Sequence, residues 1–110
     1  RERDKRLILT ALAAQGIILD RHPPVSEMSP DLCLAIYRYL ARTPCTLVLA
    51  SLDDIIGTKD QQNMPGTVDE HPNWLRKTLL PLERMVSDRR FIALSTMFRQ
   101  ELGLDTPGRK

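Results

Sequence analysis

Amide, hydroxyl, carboxylate, imidazole and indole groups gather in one short stretch, Gln62-Asn63-Met64-Pro65-Gly66-Thr67-Val68-Asp69-Glu70-His71-Pro72-Asn73-Trp74. It holds two prolines, one glycine, two asparagines and the sole tryptophan of the chain, with few apolar residues to bury. Such a composition fits neither a regular helix nor a strand. It predicts a shaped loop that presents polar groups and one flat ring, the arrangement in which binding residues commonly sit on a rigid scaffold. Asn63 offers one acceptor and two donors on a planar amide. Pro65 stiffens the backbone, and Gly66 permits a conformation or a close approach denied to other residues.

Other reactive side chains are weaker candidates. Asp53 and Asp54 are neighbours and point opposite ways in an extended backbone. Asp69 and Glu70 stand in the loop without an obvious partner, so turn-forming, solvated acids are the expectation for all four. His71 reads as a loop residue rather than a base, because no acid is placed to orient it. Cys33 and Cys45 make no disulfide framework and read as small buried hydrophobes. With His22 and His71 they give four possible metal ligands, but the spacing matches no close-paired pattern, so no metal is expected.

The chain has 110 residues, 42% hydrophobic and 27% charged, with a formal charge of +2. That composition suits one soluble globular unit. The basic residues are dispersed apart from Arg1–Arg6 and Arg109-Lys110, which does not suggest a nucleic-acid face. Leu7–Leu19 follows a basic start, yet Glu2 and Asp4 interrupt the charge and no small-residue cleavage site follows, so it does not read as a signal peptide. It is also too short for a membrane span. The absence of an initiating methionine suggests a processed or excised chain.

The elements that position the loop can be placed coarsely. Leu7–Ile18 fits a buried helix, weakened at Gly16, and Arg21–Ser26 with Pro23-Pro24 is a connection. Ser29-Pro30-Asp31 is a helix start: a capping serine, proline at the first helical position and an acid in the first turn. Cys33, Ile36, Tyr37 and Leu40 then share a face, and Thr43-Pro44 stops the helix. Tyr37 and Tyr39 fall on different faces, so only one can be core. Cys45–Leu52 is a near-continuous apolar run that predicts a strand buried on both faces, followed by a turn over Asp53–Gly57. Asn73 is expected to cap a helix from Trp74 to Leu80, ended by Pro81. Ser87 or Asp88 starts a last helix with Phe91, Leu94, Met97 and Phe98 on its inner side, and Gly103 ends it. One strand makes no sheet, and its backbone groups need partners. Either the run is helical or its partners belong to a larger protein.

Three stretches resemble the C-terminal part of the 4-alpha-glucanotransferases, the amylomaltase or disproportionating-enzyme family (glycoside hydrolase family 77). Tyr39-Leu40-Ala41-Arg42-Thr43-Pro44 resembles the family's helix end before its last barrel strand. Leu47–Gly57 resembles that strand and its acidic turn. Gln61–Thr67 with His71-Pro72-Asn73-Trp74 resembles the hallmark loop, a pattern near QxNxPGT followed by PNW. The likeness spans roughly Pro30–Leu102 and departs at Leu75, where a basic residue is usual.

The resemblance implies a fold class of mostly α with one short β segment: the last αβα units of a (β/α)₈ barrel, not a complete barrel. On that view residues 1–28 are an N-terminal helix and connector and 29–57 a helix plus final strand. Residues 58–74 form a substrate-groove loop on the face where barrel sites lie, and 75–104 the closing helices. It implies a cytoplasmic enzyme that passes maltooligosaccharide segments between α-1,4-glucans by a retaining double displacement, needing an aspartate and a glutamate about 5–5.5 Å apart. Those acids would lie upstream, so the 110 residues alone are expected to be inactive, with no cofactor. Asn63, Pro65 and Gly66 would line the glucan groove, with bonding to the backbone of its own turn as the alternative for Asn63; Asp54 and Trp74 would hold the loop, Trp74 by anchoring the helix it begins, with stacking on a sugar ring as its alternative. Partners would be the glucan and the rest of the barrel, with self-association through an uncovered strand or apolar face, and neither nucleic acid nor membrane. Two alternatives are a non-catalytic helical interaction domain and a stand-alone glucan-binding module.

Overall fold

The computed structural model describes residues 2–18 and 28–104. Among the described residues five helices follow in order: α1 (Glu2–Ala14), α2 (Pro30–Ala41), α3 (Leu52–Ile56), α4 (Leu82–Met85) and α5 (Arg89–Glu101). The connection expected at Arg21–Ser26, and His22 within it, lie outside the described residues.

Local chemistry accounts for the helix ends. Ser29 caps α2 by accepting the Leu32 N–H at 3.1 Å, with Pro30 at the first helical position. Asp88 caps α5 by accepting the Arg90 N–H at 2.9 Å. At the other end of α5, Gly103 adopts φ +65° while Leu104 N–H reaches back to the Arg99 carbonyl at 2.9 Å, a Schellman ending. α3 closes the same way, with Gly57 at φ +76° and Thr58 N–H on the Asp53 carbonyl at 2.9 Å.

α2 is the centre of the unit and packs against α1, α3 and α5. Its Tyr37 and Ala41 form the core with Leu94 and Met97 of α5, and Cys33, Leu34, Ala50, Ile55 and Phe98 pack around them. The Tyr37 and Phe98 rings meet edge to face, centroids 6.3 Å apart. Thus Tyr37, not Tyr39, is the core tyrosine. α1 buries Leu9 and Leu12 but leaves Leu7 and Ile8 exposed. Arg42 ties three helices together: its guanidinium forks onto Glu101 of α5 (2.9 and 3.0 Å) and donates to the Gln15 carbonyl just beyond α1 (2.9 Å).

Three expectations about local structure are corrected. Cys45–Leu52 is not a strand. Residues 45–51 are irregular, and among the described residues no strand is present. The run does keep a two-residue alternation: Leu47 and Leu49 are 71% and 75% exposed, while Val48 and Ala50 are half-buried. Backbone that extended needs a neighbouring strand to form a ladder, and the described residues provide none. Cys45, expected inside, is accordingly exposed. Asp53–Gly57 is not a simple turn but the short helix α3, because Leu52, Ile55 and Ile56 recur at helical spacing and the Ser51 hydroxyl accepts the Asp54 N–H at 3.5 Å. Finally, no helix begins at Trp74; the next is α4 at Leu82. Asn73 is not a helix cap, for its amide serves the loop that precedes it.

The surface is large for the chain's mass. A compact monomer of 12.6 kDa exposes about 6,200 Å², whereas this chain exposes 9021 Å². Its radius of gyration, 16.4 Å, likewise exceeds the roughly 13 Å of a compact 110-residue domain. Large apolar side chains account for part of this: Leu47, Leu49, Leu75, Leu79, Leu82 and Val86 all lie open.

Candidate functional site

The polar stretch forms a closed loop. Its neck is drawn together by the Arg76–Asp60 ion pair and by the Trp74 N–H on the Gln62 carbonyl at 2.8 Å. His71 Nε2 lies 2.8 Å from the Gln61 carbonyl, an acceptor, so this nitrogen carries the proton. The ends are close and the interior is held by the loop's own groups, the character of an Ω-loop.

At the tip, Met64–Thr67 is a tight turn. Thr67 donates to the Met64 carbonyl through its N–H (3.2 Å) and its hydroxyl (2.7 Å). Pro65 takes the second position of this turn and Gly66 the third, at φ +85°, the type II pattern whose third residue must have positive φ. Asn73 then bonds across the loop. Its Oδ1 accepts the Met64 N–H at 2.8 Å, and its Nδ2 donates to the Thr67 carbonyl at 3.2 Å and hydroxyl at 3.0 Å. A helix cap would take one bond from this side chain; here it accepts one and donates two. The missed signal lies in the residue type: of the side chains between Val68 and Trp74, only an amide both accepts and donates twice.

The predicted site residues fall in different settings. Pro65 and Gly66 form the exposed turn. Asn63 is exposed, and among the described residues its amide has no hydrogen-bond partner. It therefore does not bond its own turn. Trp74 contributes its N–H to the neck, while its ring is 74% exposed. Its backbone lies at φ +61°, the only non-glycine residue with positive φ among those described. A side chain with a Cβ sits there at a cost of about 1–2 kcal/mol, and strain of this kind tends to persist where geometry serves function.

Asp54 serves a different place. Its carboxylate accepts the Tyr37 hydroxyl at 2.7 Å, and the Tyr37 oxygen in turn accepts the Ser51 N–H at 2.9 Å. Burial first, and the Asp54 carboxylate among the further causes, raise the Tyr37 hydroxyl above its usual pKa, so it remains a donor at neutral pH. This triad fixes the start of α3, and through α3 and Gly57 it sets where the loop leaves the core. Of the other acids, Glu70 accepts the Val68 N–H at 2.9 Å, which holds its carboxyl below the usual range. Asp53 is half-buried in the first turn of α3. Asp88 pairs with Arg90 at 2.8 Å, which lowers it to about 2, and Arg90 also donates to the Ile56 carbonyl at 2.8 Å. Among the described residues no three histidine, cysteine, aspartate or glutamate side chains cluster to hold a metal, and no helix is long and apolar enough to cross a membrane.

A cleft of about 500 Å³ opens beside this frame, lined by Cys33, Ile36, Tyr37, Ile55, Thr58 and Arg90 among others. The buried hydroxyl oxygen of Thr58 has no hydrogen-bond partner among the described residues.

A helical frame that displays a self-closed polar loop is the class of object seen so far, and sequence comparison makes it specific. The 4-alpha-glucanotransferase profile, glycoside hydrolase family 77, matches residues 1–81. The chain is 37% identical over 102 residues to the 4-alpha-glucanotransferases of Mycobacterium bovis and Mycobacterium tuberculosis, and 30% identical over 104 residues to that of Haemophilus influenzae. These alignments cover 87–88% of the chain but 14% of each relative. The chain belongs to the 4-alpha-glucanotransferase family. The profile takes in α1, which lies outside the Pro30–Leu102 likeness, and stops before α4 and α5. No solved structure matches the chain.

Proposed function

We propose that these residues are one segment of a longer α-1,4-glucan transferase, cytoplasmic like the enzyme the sequence suggests. It moves maltooligosaccharide pieces between glucans by a retaining double displacement. The observation that carries the reading is the loop: a family-matched sequence folded into a rigid, self-bonded structure with a free amide at Asn63. Asn63, Pro65 and Gly66 form part of one wall of the glucan groove. Asn73 and the Trp74 backbone hold that wall in shape, and Asp54 sets its root through Tyr37. The catalytic acids lie elsewhere in the longer protein, so the 110 residues alone are inactive.

The exposed apolar surface supports the same reading. Leu47 and Leu49 alternate with half-buried Val48 and Ala50, as along a strand with one uncovered face. In the longer protein, neighbouring strands of a (β/α)₈ barrel pair with residues 45–51, and its helices cover Leu75, Leu79 and Leu82. A relative length of 14% leaves ample chain to do both.

The test is Asn63→Ala in the longer protein, assayed by disproportionation of maltotriose. Transfer falls by about tenfold or more, as for a lost polar contact to a substrate hydroxyl, while the melting temperature moves little. Equal activity per folded molecule in the two proteins refutes the assignment.

A further inference from the structure

The polar loop bonds to itself and not to the helical frame. Among the described residues, the hydrogen bonds and ion pairs of residues 60–80 all stay within that span. Its placement against the core is therefore set at its two ends, and at the first of them the chain leaves from α3. That helix has five residues, too few to be stable alone. The side chains that hold α3 decide where the loop begins.

Two different helices grip α3, one at each end. At its start, Tyr37 of α2 donates to the Asp54 carboxylate and accepts the Ser51 N–H. At its finish, Arg90 of α5 donates through Nη1 to the Ile56 carbonyl at 2.8 Å. The last carbonyls of a helix have no partner within it, and a charged donor satisfies one more strongly than a neutral donor does. The next residue is Gly57, whose φ of +76° turns the chain toward the loop. The aim of the guanidinium is itself fixed. Its Nε and Nη2 fork onto the two carboxylate oxygens of Asp88 at 2.9 and 2.8 Å, and the same carboxylate caps α5 on the Arg90 N–H. A planar group with its donors in a rigid fork suits this double task, which a lysine cannot reproduce.

We propose that Arg90 is a positioning residue for glucan transfer: it fixes the end of α3 and, through Gly57, the place from which the loop departs. The inference rests on the transferase reading above. It adds a residue 34 positions after Ile56, beyond the stretch that the family profile matches. Its action runs through the Ile56 carbonyl and not through contact with substrate.

Arg90→Met keeps an unbranched stem and removes every donor. In the 110-residue chain, the Thr58 N–H closes α3 onto the Asp53 carbonyl at 2.9 Å. In the variant this amide exchanges with solvent about tenfold faster or more, the worth of a lost charged hydrogen bond, while amides in the middle of α5 keep their protection. Unchanged exchange at Thr58 overturns the clamp. In the longer protein, Arg90→Met lowers kcat for maltotriose disproportionation by about tenfold or more, because a small misplacement far from the reacting bond is costly. KM stays within about threefold, and Arg90→Lys, which keeps a donor for the carbonyl, recovers part of the rate. Circular dichroism gives the folded fraction, and rates are compared per folded molecule. Asp88→Asn keeps the helix cap and weakens the fork alone, so it shows the same pattern at smaller size and serves where Arg90→Met does not fold. An unchanged kcat in these folded variants, or an Arg90→Lys protein as slow as Arg90→Met, overturns the positioning role and leaves the transferase assignment standing. A longer protein without any transfer activity removes the transferase assignment and the positioning role with it.

Discussion

Replacing Asn73 by alanine should free the tip of the loop while leaving the helical core intact. The side chain makes three hydrogen bonds, one to the Met64 N–H and two to Thr67. Each such bond contributes about 0.5–1.5 kcal/mol net. All three are at or near the surface, where water replaces part of the loss, so about 1–2 kcal/mol of local order is at stake. The core of Tyr37, Ala41, Leu94 and Met97 has no member in residues 60–76, so global stability should change by less than that. Native-state hydrogen exchange separates the two effects. The Met64 amide has Asn73 as its acceptor, and a loss of 1–2 kcal/mol speeds its exchange by about 5–30-fold. Amides in the middle of α5 should keep their protection. Asn73→Asp is the sharper probe, because it retains the acceptor for Met64 but sets an oxygen against the Thr67 carbonyl. If Met64 exchanges at the same rate in Asn73→Ala as in the parent chain, Asn73 is not what holds the loop.

Three further outcomes are expected. Tyr37→Phe keeps the ring contact with Phe98 but strands the Asp54 carboxylate and the Ser51 N–H; urea unfolding should show a loss of about 2 kcal/mol, and an unchanged midpoint would mean that water replaces the hydroxyl at no cost. The carboxyl of Asp88 is held at about 2, below its ordinary 3.8, first by the Arg90 side-chain bond. Its contribution is therefore complete above about pH 4 and fades as pH falls toward 2, so the stability gap between the parent chain and Asp88→Asn should narrow across that window, and a gap constant with pH would rule out the pair as its source. Leu47→Lys with Leu49→Lys puts charge on the uncovered alternating face; sedimentation should show less self-association than for the parent chain, and identical profiles would place any contact between copies elsewhere.

What could be read from the residues follows the range of the interactions involved. The caps at Ser29 and Asp88 and the ending at Gly103 depend on atoms a few positions away, so residue types alone indicate them. The Pro65-Gly66 turn is local in the same sense. The strand expected at Cys45–Leu52 depends on neighbours far away in sequence or on other chain altogether, and no pattern within eight residues can supply them. Asn73 shows competition between two local uses of one side chain. Pro72-Asn73-Trp74 reads as a helix start, but cross-loop bonds to Met64 and Thr67 satisfy the amide more fully than a single capping bond. Asp54 is expected from the likeness to hold the loop; its carboxylate accepts the hydroxyl of Tyr37, seventeen positions earlier, a link visible only once α2 and α3 are packed. Asn63, Pro65 and Gly66 are candidates from composition and the family likeness together, since polarity and stiffness alone describe many loops.

The grip of Arg42 on Gln15 and Glu101 also bears on how the unit comes apart. One guanidinium at the end of α2 is the clasp for helices lying before and after it in sequence. α5 is also held by the shared apolar cluster and by Arg38, 3.5 Å from Glu101, whereas α1 buries Leu9 and Leu12 and receives that clasp. Loss of this single cation should therefore let the N-terminal helix peel away while α2 and α5 stay joined, turning an all-or-none collapse into a departure in two stages.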